Sequence, residues 1–214
     1  MLIIPAINEI KFPEILKKIL RAGDFGAEWV HIDVADGQFT GNALWNNPED
    51  LSSLKDKNIK IEVHLMVQNP EAVIGQWITA GVRRIIVHIE ALQDFTSIQE
   101  QCLRAGVELV VALNPDTSVE RLTNIATISR VLVLAVQPGR AGQMFRNDQL
   151  DKVRFLRTHY SNVTISVDGG VALDNALPIQ AAGADILISA SAIWSSDDPA
   201  MTYRNFQQLC AGSN

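Results

Sequence analysis

Residues 60–89, KIEVHLMVQNPEAVIGQWITAGVRRIIVHI, read as strand, helix, strand. Lys60–Met66 is a short β-rich run, Pro70–Ala80 has helical period, and Arg84–Ile89 is again rich in β-branched residues. Ala80-Gly81 supplies the stop between helix and second strand, because glycine takes the left-handed geometry that ends a helix. Strands alternating with helices are the sign of a parallel sheet with crossover helices.

The pattern continues in both directions. Further strands are read at Leu2–Ile7, Trp29–Val34, Glu108–Leu113, Val131–Val136, Val163–Val167 and Ile186–Ser189. Between and beyond them, helices are predicted near Phe12–Ala22, Pro48–Lys55, Phe95–Ala105, Val119–Ile125, Asp148–His159, Asp174–Ala182 and Pro199–Leu209. The Ala-Gly stop recurs at Gly23, Gly106 and Gly183. Eight strands are the count that closes a barrel, so the expected fold is α/β, a (β/α)8 TIM barrel. The 214 residues just suffice for eight units. No linker or low-complexity segment interrupts them, and residues 1–214 are expected to form one domain. An open doubly wound sheet also alternates strands and helices, but its usual glycine fingerprint after the first strand, G-x-G-x-x-G, is absent.

The chain is 47% hydrophobic and 20% charged with a net charge of -6, which argues against a nucleic-acid surface, since phosphate backbones are held by clustered Lys and Arg. A small anion remains open as a ligand, because backbone N–H groups bind phosphate without net positive charge. Cys102 and Cys210 form neither a disulfide framework nor a metal or redox spacing, so a reducing cytoplasm is the expected compartment. No run of about 18 apolar residues occurs, and the opening MLIIPAI lacks the basic region of a signal peptide. No nucleic-acid or membrane partner is expected.

His31, His64 and His88 fall at the C-terminal ends of the second, third and fourth strands, the end where such barrels gather their active sites. His31 and Asp33 are two residues apart and share a strand face, and Asp168 closes the seventh strand in VDGG. Singly, each reads as a hydrogen-bonded strand-end group. Together, His31, Asp33, His64 and Asp168 form a mixed nitrogen and oxygen set for a divalent cation. Gly169-Gly170 after strand seven and Ser191, opening a short extra helix after strand eight, suit the recurrent phosphate site of this fold. The loop QPGRAGQ after strand six is able to cover a ligand, with Arg140 either approaching an anion or staying a solvated charge.

The runs HIDVADGQF, VHLMV, VHIEA, ALNPDT, VQPGRAGQMF, VDGG and SASAIW, in this order across nearly the whole chain, resemble the ribulose-phosphate 3-epimerase family. The resemblance implies a barrel of the ribulose-phosphate-binding type and one divalent cation (Zn, Fe(II), Mn or Co) held by His31, Asp33, His64 and Asp168. It further implies that Asp33 and Asp168 are the acid and base inverting C3 of a ketose phosphate through an enediolate. D-ribulose 5-phosphate, giving D-xylulose 5-phosphate, is the leading substrate, so the partners the resemblance implies are a small-molecule sugar phosphate and further copies of the chain in a homo-oligomer, a dimer or higher. The alternatives are another ketose phosphate, such as a hexulose 6-phosphate, or a non-catalytic ligand-binding barrel. Substrate contacts are expected at Asn8, Met66, Gly142, Gly169, Gly170, Ala190 and Ser191. The chain departs from the family pattern at Ala6, in place of a serine, and at Ala35 and Leu134, in place of methionines. Gly41 replaces a proline, Arg140 an aromatic residue, and Ala190 a glycine. These changes predict an altered pocket around an intact set of metal and acid/base residues.

Overall fold

The computed structural model describes residues 1–54, 58–124 and 127–212. Its eight strands are β1 (Leu2–Ile7), β2 (Trp29–Ala35), β3 (Lys60–Met66), β4 (Arg84–His88), β5 (Glu108–Leu113), β6 (Arg130–Leu134), β7 (Thr164–Asp168) and β8 (Ile186–Ser189). Each pairs in parallel with the next, and β8 pairs back onto β1, so the sheet closes into a barrel in chain order. The helices are α1 (Phe12–Asp24), α2 (Pro70–Thr79), α3 (Phe95–Ala105), α4 (Gln149–His159), α5 (Ala176–Ala182), α6 (Ser191–Trp194) and α7 (Pro199–Ala211). Asn69 and Asp94 cap α2 and α3 by accepting from the backbone N–H groups of Ala72 and Ser97.

Side chains of a strand alternate between its faces, and here the alternation sorts two cores. Ile4, Ala6, Ile86, Val110, Ala112, Leu132, Leu134, Ile186 and Ile188 pack together with Trp29, while the opposite phase packs with Ile15, Ile19, Ile74, Trp77, Val153 and Phe206 of the helices. The first set fills the barrel, and the second seals the helical layer onto it. In the inward phase of β2, β3 and β4 stand buried polar residues instead: His31, Asp33, Glu62, His64, Arg84 and His88. β7 adds Ser166 and Asp168 to this polar side of the interior, and the remaining strands supply an apolar wall facing it.

Two of the expected helices are 3-10 helices, Pro48–Leu54 and Val119–Asn124. The reason is their period: the buried residues Pro48, Leu51 and Leu54, and likewise Val119 and Leu122, recur every three residues, which matches three residues per turn. The expected ends of these helices at Lys55 and Ile125 lie outside the described residues. Gly23 sits inside α1 rather than at its end, and Gly26, with φ +87°, makes the turn that Gly23 was expected to make. Gly106 and Gly183 cap α3 and α5 in the left-handed region as expected, and Gly81 takes it just after the cap of α2. Among the described residues, no helix is long and apolar enough to cross a membrane.

Candidate active site

Parallel register builds the site. Pairing of β2 with β3 sets His31 beside Glu62 and Asp33 beside His64, and pairing of β6 with β7 sets Leu134 beside Asp168. Each of His31, Asp33, His64 and Asp168 offers one nitrogen or oxygen, and these four atoms lie within 4.8 Å of one another. The Asp33 Oδ1 is 3.3 Å from His31 Nε2 and 3.1 Å from His64 Nδ1, while Asp168 Oδ2 is 3.7 Å from both nitrogens.

The other edge of each ring is engaged elsewhere. His31 Nδ1 lies 2.7 Å from Glu62 Oε1, and Glu62 is held in turn by Arg84. Arg84 donates to Glu108, Glu108 accepts from Arg130, and the Arg84 guanidinium lies 4.1 Å from the centre of the Trp29 ring. On the second imidazole, His64 Nε2 lies 2.8 Å from His88 Nε2, and His88 Nδ1 lies 3.2 Å from Glu90 Oε2. Asn8 Nδ2 donates to Asp33 Oδ2 at 2.9 Å. A histidine that meets a carboxylate on one edge and turns its other nitrogen inward is the usual arrangement around a bound divalent cation, and the donor set fits one.

The electrostatics show how strained the set is by itself. Burial disfavours charge on His31, but its hydrogen bonds with Asp33 and Glu62 outweigh that and raise its pKa well above 6.5. Burial acts to raise Asp33 too, yet its contacts with His31 and His64 hold it well below the usual carboxylate range. Burial, reinforced by the negative Asp33 and opposed by His31, pushes Asp168 up to about 7. A cation between the two carboxylates would hold both ionised. Burial lowers His64, and it lowers His88 to about 4, which leaves His88 neutral at pH 7. Burial also works to raise Glu90, but hydrogen bonds from His88, Thr117 and the Asn114 backbone keep it ionised, with a pKa of about 2.

Above the cluster lies a small cavity. Asp33, His64 and Asp168 line it, as do all of the expected substrate-contact positions: Asn8, Met66, Gly142, Gly169, Gly170, Ala190 and Ser191. His31 lies beneath, fully buried. Arg140 is the one Lys or Arg among the lining residues, and no ion pair engages it among the described residues. Three departures from the family pattern, Ala6, Ala35 and Gly41, lie outside the cavity lining. Ala6 and Ala35 are buried and do not line the cavity; the Ala6 carbonyl instead accepts from Trp194 Nε1, which anchors α6.

The glycine pair has a role beyond admitting a ligand. Gly169 and Gly170 have φ of +96° and +68°, and a Cβ on Gly170 would stand 2.3 Å from the backbone nitrogen of Phe145. Their bare backbone lets the loop after β6 fold down over the cavity. Sequence reading flagged His88 but left it outside the ligand set, and it missed Glu62, Arg84 and Glu90. The available signal was spacing, since Glu62 precedes His64 and Glu90 follows His88 by two residues.

The model of the ribulose-phosphate 3 epimerase family matches residues 2–194. The ribulose-phosphate 3-epimerase of Chlamydia muridarum is 34% identical over 80% of this chain and 78% of its own. That of Schizosaccharomyces pombe is 33% identical over 92% and 88%, and the cytoplasmic isoform of Oryza sativa is 30% identical over 99% and 95%. Among solved structures, 3-hexulose-6-phosphate synthase from Salmonella typhimurium covers 100% of both chains with a TM-score of 0.77 at 18% identity, a likeness of fold alone. With the sequence match running through β2, β3 and β7, the strands that carry the cluster, the chain belongs to the ribulose-phosphate 3 epimerase family.

Proposed function

We propose that the protein is an isomerase that inverts C3 of a ketose phosphate, converting D-ribulose 5-phosphate to D-xylulose 5-phosphate. The observation that carries this reading is the convergence of Asp33 and Asp168, from strands three apart around the barrel, on one imidazole-flanked cluster at the floor of the cavity. Inversion next to a carbonyl needs one group to remove the C3 proton from one face and another to deliver a proton to the opposite face. Asp33 and Asp168 take these two roles. Asn8 orients Asp33 through its amide, and His31 and His64 hold its other oxygen. A divalent cation, Zn, Fe(II), Mn or Co, fits the four donors and supplies positive charge that offsets the charge building on the substrate oxygens as the enediolate forms.

At the other side of the cavity the substrate phosphate rests on the backbone of Gly169, Gly170, Ala190 and Ser191. Within α6 the Ile193 and Trp194 N–H groups already donate to the Ala190 carbonyl, so the phosphate contacts fall to the N–H groups ahead of them. The loop bearing Arg140 and Gly142 closes over this end, and Met66 and Leu134 give the sugar an apolar wall. Metal content by elemental analysis, with NMR of ribulose 5-phosphate incubated in deuterium oxide, tests the reading. Deuterium at C3 and formation of xylulose 5-phosphate, both abolished by chelation and by His64→Ala, are expected. A metal-replete protein that leaves the C3 proton in place would overturn it.

A further inference from the structure

The loop after β6 forms one wall of the cavity, which residues 136–143 all line. Its two feet are Gln137, just past β6, and Arg146, just ahead of α4, and both reach out of the loop to a single carboxylate. Gln137 Nε2 donates to Asp116 Oδ2 at 3.0 Å, and Arg146 Nη1 donates to Asp116 Oδ1 at 2.8 Å. Asp116 belongs to the loop after β5. Each of its oxygens therefore holds one end of a segment that comes from the neighbouring strand.

Asp116 is the fixed partner of this clasp. Pro115 before it is buried, the Thr117 N–H after it donates to the Asn114 carbonyl at 3.1 Å, and Lys152 of α4 donates to the carbonyls of Asn114 and Pro115. Arg146 is aimed as well. Its N–H donates to the Ala135 carbonyl at 3.1 Å, and its Nε and Nη2 grip Asp148 at 3.3 and 2.8 Å, which turns the remaining Nη1 toward Asp116. Between the two feet the chain is built to move: Gly139 and Gly142 have φ of +104° and +80°, and residues 140–142 are exposed. An exposed ion pair adds little to global stability. It has more leverage on an exposed loop, whose own opening costs far less than unfolding the barrel.

We propose that Asp116 is a positioning residue: by holding both feet of the loop after β6, it keeps residues 136–143 against the bound sugar phosphate. This rests on reading the cavity as the substrate site, and one of the two measurements needs no substrate. Trypsin cleavage of the native protein after Arg140, followed by the appearance of fragment 1–140, reads how often the loop lifts, because cleavage at a transiently opened segment tracks the population of the open form. Asp116→Ala is expected to speed this cleavage about three- to tenfold, and Asp116→Asn, which keeps an acceptor for Gln137 but loses the ion pair, at least about twofold. Asp151→Ala removes the exposed Asp151–Arg154 pair of α4 and links no loops, so its cleavage is expected within about twofold of wild type. In turnover of ribulose 5-phosphate, Asp116→Ala is expected to raise KM about three- to tenfold, with kcat within about twofold and the melting temperature within about 3 °C. Unchanged cleavage after Arg140 in Asp116→Ala would overturn the proposal, and so would faster cleavage with an unchanged KM. A wild-type protein inert toward ribulose 5-phosphate would overturn the proposed function instead, and the cleavage rates, with slowing by inorganic phosphate in the wild type and less in Asp116→Ala, then decide the clasp. Should Asp116→Ala fail to fold, Asp116→Asn decides by the same readings.

Discussion

Asp33 and Asp168 differ most in what surrounds them. Asp33 has an imidazole nitrogen within 3.3 Å on two sides and the Asn8 amide on a third, whereas Asp168 approaches the same nitrogens no closer than 3.7 Å. If each serves one face of the substrate, Asp33→Asn and Asp168→Asn will each stop inversion, and one of them will keep exchanging the C3 proton with solvent. Deuterium incorporation and product formation, compared at equal metal occupancy, distinguish the two. Wild-type inversion by either variant would remove its assigned role. That the cluster's residues share one end of the barrel was legible because period two places His31 with Asp33 on one face without any knowledge of neighbours. Their supports were not. That Glu62 meets His31, or His88 meets His64, depends on the register between strands, which no single strand's sequence states.

Among the elements, the loop after β6 separates two ways of disturbing the site. Gln143 ties it by donating to the carbonyls of Gln137 and Arg140, and Asn42 donates to Gly139. Arg140 is exposed on this brace, so Arg140→Ala is expected to raise KM for the sugar phosphate several-fold, leave kcat within about twofold, and lessen inhibition by inorganic phosphate, each loss being of the order of one exposed charged hydrogen bond. An unchanged KM and phosphate inhibition would make Arg140 a solvated charge only. Gly170→Val is expected to do more, because its branched side chain collides with Phe145 at a left-handed backbone position. A lower melting temperature should accompany its rise in KM. Elements were the most legible level, since strands and α-helices each announce a period. The two 3-10 helices were read as helices without their type, because an i, i+3 pair of apolar residues is common to both helix types, and only the full run of Pro48, Leu51 and Leu54 tells them apart.

For the whole molecule, the buried polar half of the barrel makes stability depend on what sits in the cluster. Asp33, Glu62 and Asp168 bring three carboxylates to a buried site with two imidazoles, and Glu62 alone is matched by an arginine. A cation bound only by the folded state, at a hundredfold its Kd, adds about 2.7 kcal/mol. In a chain of this size that is roughly 5–10 °C in melting temperature. Stripping the metal with a chelator is expected to lower the transition by that amount, and His64→Ala to abolish the difference; scanning calorimetry with and without chelator checks both. The barrel itself was legible from the count of eight strands, and its closure by β8 on β1 has a consequence for synthesis. At about 5–20 residues per second, β1 waits on the order of ten to forty seconds after leaving the ribosome before residues 186–189 follow it out. Through that interval its unpaired edge, Leu2 to Pro5, is exposed to other nascent chains, so the seam that later leaves the barrel without an edge is the last part of the sheet to gain protection.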